Sequence, residues 1–199
     1  INKSYSIEKA TGEWIFYIDP DERLPGELVE EVIDVVKDTT HSGFSMKRRN
    51  HYFGYWLRHG SQYPDTQLRL FRKGKARFPN QHVHEKLQVD GSIGKLSNDM
   101  LHFPYQNINQ FLRKFNFYTS VEAEYLEGEG LEINFLNTLN YTLLKPLTRF
   151  IRRYFFKGGF RDGMAGFFCS LFDALNYVVR YFKLREINQQ ISGEKEKEL

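Results

Sequence analysis

The sequence of 199 residues has one cysteine, Cys169, so it has neither an internal disulfide framework nor a cysteine-rich zinc site. A lone thiol fits a reducing compartment. No glycine-rich phosphate loop, nucleophile elbow or zinc-protease helix is present, which removes several common enzyme classes. No internal repeat is visible, which excludes solenoids and propellers. Clean membrane spans are lacking too. The apolar stretches 135–156 and 162–184 carry Lys145, Pro146, Arg149, Arg152 and Arg153, and Asp173, Asn176 and Arg180, respectively. Central charges are costly in a bilayer core. What is present is a globular composition, 41% hydrophobic and 27% charged, with aromatics high at 16%. Only the Glu/Lys-rich tail 192–199 reads as disordered.

The net charge of +3 hides an asymmetry. Between Phe135 and Arg185 lie nine basic residues and only Asp162 and Asp173 as acids, a local charge of +7 against −4 for the remainder. Basic residues interleaved with Phe, Tyr and Leu fit helices lying in an anionic membrane interface. A helical subdomain with a solvated basic face is the plainer alternative. Single-stranded nucleic acid can use the same residue types, but no recognised nucleic-acid motif accompanies them, and nucleic acid is not expected as a partner.

Along the chain, residues 1–11 read as the end of a helix stopped near Gly12. Trp14, Ile15, Phe16, Tyr17 and Ile18 form a continuous apolar run, expected to be a strand buried on both faces as in a parallel sheet. It runs into Asp19, Pro20, Asp21 and Glu22. Pro25 then opens an amphipathic helix through Leu28, Val29, Val32, Ile33 and Val36. Strand, acidic loop and helix make an α/β arrangement, in which functional loops sit at the carboxyl ends of strands. The region 44–103 reads as strand-rich, with a strand over 67–72 and a hairpin over 86–96 turning at Asp90 and Gly91. Asn107 caps a helix with Gln110 three residues on, and its expected apolar stripe is Ile108, Phe111, Leu112, Phe115, Tyr118 and Val121.

Four groups could carry chemistry. Asp19 and Asp21, at i and i+2 on a loop, can share a hard divalent cation that bridges to phosphate oxygens, or can simply cap the next helix. In His82, Val83, His84 and Glu85, the glutamate beside a histidine can act as a general base, the two histidines can bind zinc, or the segment can be a polar edge strand. His102 lies in an apolar segment, where a histidine is most often structural. Arg58, His59, Gly60 and Asp65, with Arg69 and Arg72, can meet sugar hydroxyls or phosphates, or form a turn before a strand.

In this order the motifs resemble family-2 glycosyltransferases, and most closely the bacterial lipopolysaccharide-core glucosyltransferase-like proteins. Residues 12–22 resemble the strand that ends in the family's acidic metal motif. Tyr63, Pro64 and Asp65 through Arg69 to Arg72 resemble its acceptor-side loop and strand. Val83, His84 and Glu85 resemble its catalytic-base motif, and the stretches 145–154, 159–163 and 180–186 its membrane-proximal helices. The resemblance implies an α/β fold: a partial GT-A (Rossmann-like) domain over 1–104, then a helical, basic, membrane-proximal extension over 105–191. It implies sugar transfer from a nucleotide-sugar, a UDP-sugar foremost, to a lipid-linked or cell-envelope saccharide, with inversion. Asp21 would hold Mg²⁺ or Mn²⁺, with Asp19 and His102 completing the metal site. Asp19, Glu22, Arg69 and Arg72 are the expected donor-binding residues. Glu85 would be the base, with Asp65 its rival. The expected location is the cytoplasmic face of a bacterial inner membrane, bound peripherally to its anionic surface.

The family's first βαβ units, which supply most contacts to the nucleotide base, are expected to lie before Ile1. The fragment by itself is therefore expected to be inactive. Two other readings remain open: a glycoside hydrolase using Asp21 and Glu85, which needs neither metal nor nucleotide, and a non-enzymatic peripheral membrane module.

Overall fold

The computed structural model describes residues 3–77 and 87–195. The chain forms two compact units, Ile1–His51 with Gln62–Pro104, and Tyr52–Ser61 with Tyr105–Leu199. The short excursion Tyr52–Ser61 belongs with the helices rather than with the strands around it in sequence.

The first unit opens with α1 (Lys3–Lys9), β1 (Trp14–Phe16), β2 (Glu22–Arg23) and α2 (Gly26–Val35). It continues through β3 (Gly43–Tyr52) and β5 (Asp65–Arg72); the short β4 (Tyr55–Trp56) between them in sequence belongs to the second unit. Next come β6 (Ala76–Arg77), β7 (Gln88–Val89), β8 (Ile93–Lys95) and β9 (Met100–Tyr105). The main sheet runs β1-β5-β3-β9-β2, with β8 attached to β3. Its core is Leu28, Phe44, Met46, Leu70, Leu96 and Met100, with Trp14, Phe16 and Val32 packed against them. Pro25 precedes α2 with extended backbone, and Leu28 on its inner face is fully buried. That places the helix's apolar stripe on the sheet, as its spacing requires.

Two local expectations change. β1 pairs antiparallel with β5, Trp14 opposite Arg72 and Phe16 opposite Leu70, and its three residues are half-buried. An apolar run indicates burial but not the direction of the neighbouring strand. The expected 86–96 hairpin does not form. β7 pairs with β6, and β8 runs parallel to β3. Gly91, at φ 117°, instead carries the chain from one sheet to the other. Gly94 is required on β8 because a Cβ there would lie 2.5 Å from the Phe44 ring.

The second unit is built from α3 (Ile108–Gly128), α4 (Phe135–Leu139), α5 (Lys145–Ile151) and α6 (Gly163–Lys195). Asn107 accepts from the Gln110 backbone N–H, and the Gln110 side-chain oxygen accepts from the Gln106 backbone N–H, so the cap forms as its sequence suggests. The buried row of α3 differs from the expected stripe: it is Phe111, Thr119 and Ala123, while Ile108, Leu112 and Tyr118 are exposed. Phe111 packs edge-on to Phe168 and Phe172 of α6 at 5.0 and 5.1 Å, and this aromatic pile fixes the rotation of α3.

α4 and α5 are joined by a π-helical turn, Asn140–Leu144, and a second π turn, Arg152–Phe156, closes the run. The first lies just before Pro146, which lacks an N–H. The Lys145 N–H bonds Asn140 O, five residues back, so the ladder widens instead of breaking. α6 continues to Lys195, past Ser192 where composition suggests disorder.

Candidate functional site

The site lies in the first unit, where β1 ends. The Tyr17 N–H bonds Arg69 O, continuing the β1–β5 ladder one residue beyond the strand. The chain then turns through Asp19, Pro20 and Asp21. The Glu22 N–H bonds Asp19 O at 3.0 Å, and the Asp19 N–H returns to Glu22 Oε2 at 2.9 Å. Pro20 supports this turn with its fixed φ. β2 places Glu22 opposite His102 of β9, and the Phe103 N–H bonds Asp21 O. The acidic turn and His102 are therefore set by backbone register, not by side-chain chance.

Glu22 is the anchor of the turn. Its side chain is fully buried, and Oε1 accepts from Arg48 at 2.9 Å and Arg69 at 2.5 Å. A buried carboxylate is tolerable only with such partners. Glu22 thus holds the turn shut through Arg48 and Arg69. Arg69, also buried, reaches Asp19 Oδ2 at 2.7 Å and stacks 5.0 Å from the Tyr17 ring centre. Tyr17 donates its hydroxyl to Asp19 at 2.9 Å. Burial and that anionic acceptor push the phenol up to about 12. Arg72, three residues further along β5, lies at the opposite end of β1. It stacks on Trp14 and pairs with Glu13, away from the acidic turn.

His102 and Asp21 face one another, Nε2 to Oδ1, at 3.6 Å. The tautomer follows from the neighbours. The Asn50 amide nitrogen donates to Gln62 O and Asp65 Oδ2, so Asn50 Oδ1 must point to His102. At 2.6 Å that oxygen can only accept, and the proton therefore sits on His102 Nδ1. In the neutral ring, Nε2 then presents a lone pair to a carboxylate. Burial, and the nearby Arg48 cation, hold the imidazole below its ordinary value and favour this neutral form.

Two acceptors facing each other beyond hydrogen-bond distance suit a shared cation. Asp19, by contrast, turns to Tyr17 and Arg69, so the expected Asp19–Asp21–His102 trio is drawn together only at Asp21 and His102. Among the described residues, no three His, Cys, Asp or Glu side chains form a metal cage. Magnesium sites, however, are commonly completed by substrate phosphates and water around one or two protein ligands.

Asp65 sits at the start of β5, gripped by Arg48 at 2.7 Å, Asn50 at 3.2 Å and Gln67 at 2.6 Å. Burial pushes its carboxyl up, but the Arg48 cation and these donors bring it below the ordinary range. His82, His84 and Glu85 lie outside the described residues.

Sequence reading passed over Arg48 and Asn50. Their signal is on β3, where the alternating positions 44 and 46 are buried and apolar, and 48 and 50 continue the series as Arg and Asn. A buried strand that changes from apolar to charged along its length needs polar partners.

Residues 1–89 match the sequence model of glycosyl transferase family 2. The match covers a little under half of the chain. Named relatives extend the similarity through the helices. The lipopolysaccharide core biosynthesis glycosyltransferase LpsC of Rhizobium meliloti is 29% identical over 168 residues, covering 83% of this chain and 61% of its own. An uncharacterised glycosyltransferase of Rickettsia typhi is 26% identical over 207 residues, covering 94% and 66%. One from Rickettsia felis is 28% identical over 205 residues, covering 92% and 68%. The chain thus spans about two thirds of the length of the curated relatives it matches. The mixed sheet with helices following it is consistent with a GT-A-like family-2 domain.

Proposed function

We propose that the protein transfers a sugar from a nucleotide-sugar, a UDP-sugar foremost, to a hydroxyl of a lipid-linked or cell-envelope saccharide, with inversion. The observation that carries this reading is the His102 Nε2 lone pair set against Asp21 at the end of β1, beside a turn locked by Arg69 and Glu22. Asp21 and His102 would hold Mg²⁺ or Mn²⁺, which when bound neutralises charge on the leaving diphosphate. Asp19, oriented by Arg69 and Tyr17, would meet the donor's ribose or the metal's water shell. Glu85 would accept the proton of the acceptor hydroxyl as that oxygen bonds the anomeric carbon. The bond from that carbon to the diphosphate oxygen breaks, and the nucleoside diphosphate leaves with the electron pair. The name of the Rhizobium relative supports a lipopolysaccharide-core saccharide as acceptor. Action at the cytoplasmic face of a bacterial inner membrane follows from such an acceptor.

The test is metal-dependent turnover of UDP-sugars by the protein at its full natural length. Asp21→Ala and Glu85→Gln should each lower kcat by about 10²-fold to 10⁴-fold. Chelator should abolish turnover. Activity that survives both chelation and Asp21→Ala would overturn the proposal.

A further inference from the structure

One row of charged side chains crosses four strands of the main sheet. Asp65 of β5 lies opposite Arg48 of β3 in the strand register. Its Oδ2 accepts from Arg48 Nε at 2.8 Å and Nη2 at 2.7 Å, and from Asn50 at 3.2 Å. The other terminal nitrogen of the same guanidinium, Nη1, donates to Glu22 Oε1 at 2.9 Å. β9 lies between β3 and β2 in the sheet, so Arg48 reaches across a whole strand to Glu22. The side chains of Arg48 and Asp65 are 17% and 25% exposed and that of Glu22 is fully buried, so water screens the row only weakly.

Asp65 is itself held from more than one direction. Gln67 donates to its Oδ1 at 2.6 Å. Two residues before it, the Tyr63 hydroxyl donates to Asp99 Oδ2 at 2.9 Å, and Arg49 donates to the same oxygen at 2.8 Å. Side chains alternate along a strand, so Arg49 grips this segment from the side opposite Arg48 and Asn50. At the other end of the row, Glu22 closes the acidic turn. Its Oε2 accepts from the Asp19 N–H, its own N–H bonds Asp19 O, and the Phe103 N–H bonds Asp21 O. A guanidinium serves two carboxylates from separate nitrogens of one fixed plane. A lysine ammonium is a single point charge on a flexible stem and does not reproduce that fork.

We infer that Asp65 and Arg48 are a positioning pair for the acidic turn: Asp65 sets the plane of Arg48, Arg48 fixes Glu22, and Glu22 holds the turn that presents Asp21 to His102. Both act through Glu22 rather than on a substrate. The role needs an acceptor oxygen at position 65, not a proton moved there, and so differs from that of a general base. The inference rests on the proposed metal site for its consequence, but not for its geometry.

The experiment uses the protein at its full natural length and has two readouts. Hydrogen exchange of the Asp19, Glu22 and Phe103 amides reports the turn with no metal present, and calorimetric titration with Mn²⁺ reports the site. Arg48→Lys and Asp65→Leu should each speed exchange at these three amides by about tenfold or more, while the Leu96 amide, bonded to Ser45 O in the core, stays within about twofold of wild type. Mn²⁺ affinity should fall about tenfold to 100-fold in both, and raising Mn²⁺ should recover most of kcat. Asp65→Asn keeps an oxygen for Arg48 and Asn50, and Gln67 can turn its amide to accept from the new NH₂. That variant should stay within about threefold of wild type in exchange and Mn²⁺ affinity, with kcat lowered by less than about tenfold. In an Arg48→Met background, Asp65→Leu should add little to the exchange rates, because the pair acts as one unit. Circular dichroism checks that each variant keeps the wild-type fold.

Three outcomes would overturn the inference. The turn amides could be unchanged in folded Arg48→Lys. The rise could be uniform and include Leu96, the mark of general destabilisation. Asp65→Asn could lose about 10²-fold or more in kcat with wild-type exchange, which would make Asp65 the base. Loosened turn amides with unchanged Mn²⁺ affinity, or no Mn²⁺ binding by the wild type, would uphold the pair's grip on the turn and remove the proposed metal site instead.

Discussion

Asn50 illustrates how one buried side chain can set the chemistry of another. Its amide orientation, forced by Gln62 O and Asp65, decides which nitrogen of His102 bears the proton. It is a positioning residue. Asn50→Leu removes the acceptor, freeing His102 to place its proton on Nε2, where it opposes a cation. Mn²⁺ affinity, measured by titration calorimetry, should fall about tenfold to 100-fold. The nitrogen chemical shifts of His102 should show a mixed tautomer, a change that a merely loosened fold would not produce. Asn50→Asp keeps an acceptor for Nδ1 but adds a charge beside Asp65. It should keep the His102 tautomer while destabilising the strand pair β3–β5. The same reasoning separates Glu22 from Asp21. They are adjacent acids on one turn, but only Asp21 is held near His102, while Glu22 is consumed by Arg48 and Arg69.

At the scale of elements, the tightest junction is between the end of the 135–156 run and α6. The 3₁₀ turn Gly159–Asp162 passes so close to α6 that a Cβ on Gly166 would lie 2.0 Å from Gly159 O. Gly166→Ala must therefore separate a helix from a backbone carbonyl, not merely nudge a side chain. It should destabilise the protein by about 3 kcal/mol, seen as a lower midpoint in thermal or urea denaturation. Gly128→Ala, where nothing lies within 4 Å of the added methyl, is the control and should be nearly neutral.

Element existence was well marked in the sequence, by Pro25 before α2, the Asn107 cap of α3 and the apolar alternation of β5. Element partnership was not. The Asp90 and Gly91 turn looks like a hairpin because local signals cannot see that β3 and β6 offer better partners to its two arms. The buried row of α3 departs from its apolar stripe for a related reason. Its apolar residues outnumber the buried positions, and only the aromatic pile on α6 selects Phe111 as the inward one.

At the scale of the whole molecule, each unit carries a carboxylate held below its ordinary range by arginine: Asp65 by Arg48 in the first, Asp173 by Arg149 and Arg153 in the second. Burial alone would raise both, and the ion pairs and hydrogen bonds outweigh it. A carboxyl whose folded value lies below its unfolded value of 3.8 stabilises the fold above that pH. That stabilisation is lost as pH falls below 3.8 through the lower folded value. Asp173→Asn should cost about 1–3 kcal/mol at neutral pH, the upper end discounted because the side chain is 24% exposed. The gap between wild type and variant should close as denaturation is repeated at pH below about 4. A gap unchanged by pH would show that Asp173 acts by packing alone.

The charge imbalance along the chain also reads differently in three dimensions. Of the basic residues that give 135–185 its +7, Arg149 and Arg153 are spent on Asp173, Arg180 on Glu122 at 3.0 Å, and Lys183 on Asn116, Thr119 and Ser120. Lys145 sits over the Tyr141 ring, and Arg152, Lys157, Arg161 and Arg185 are left on the surface. Composition by itself determined that the chain has an acidic, strand-rich part and a basic, aromatic, helical part, because charge and hydrophobic period are local properties of the chain. The acidic turn after an apolar strand was likewise legible, since strand, turn and helix signals lie within a few residues. Only the tertiary structure decided which acid meets His102, which nitrogen of that histidine is free, and which side of the 135–156 run faces outward. Those depend on register between strands and on packing between helices distant in sequence, where burial makes each polar group find a particular partner.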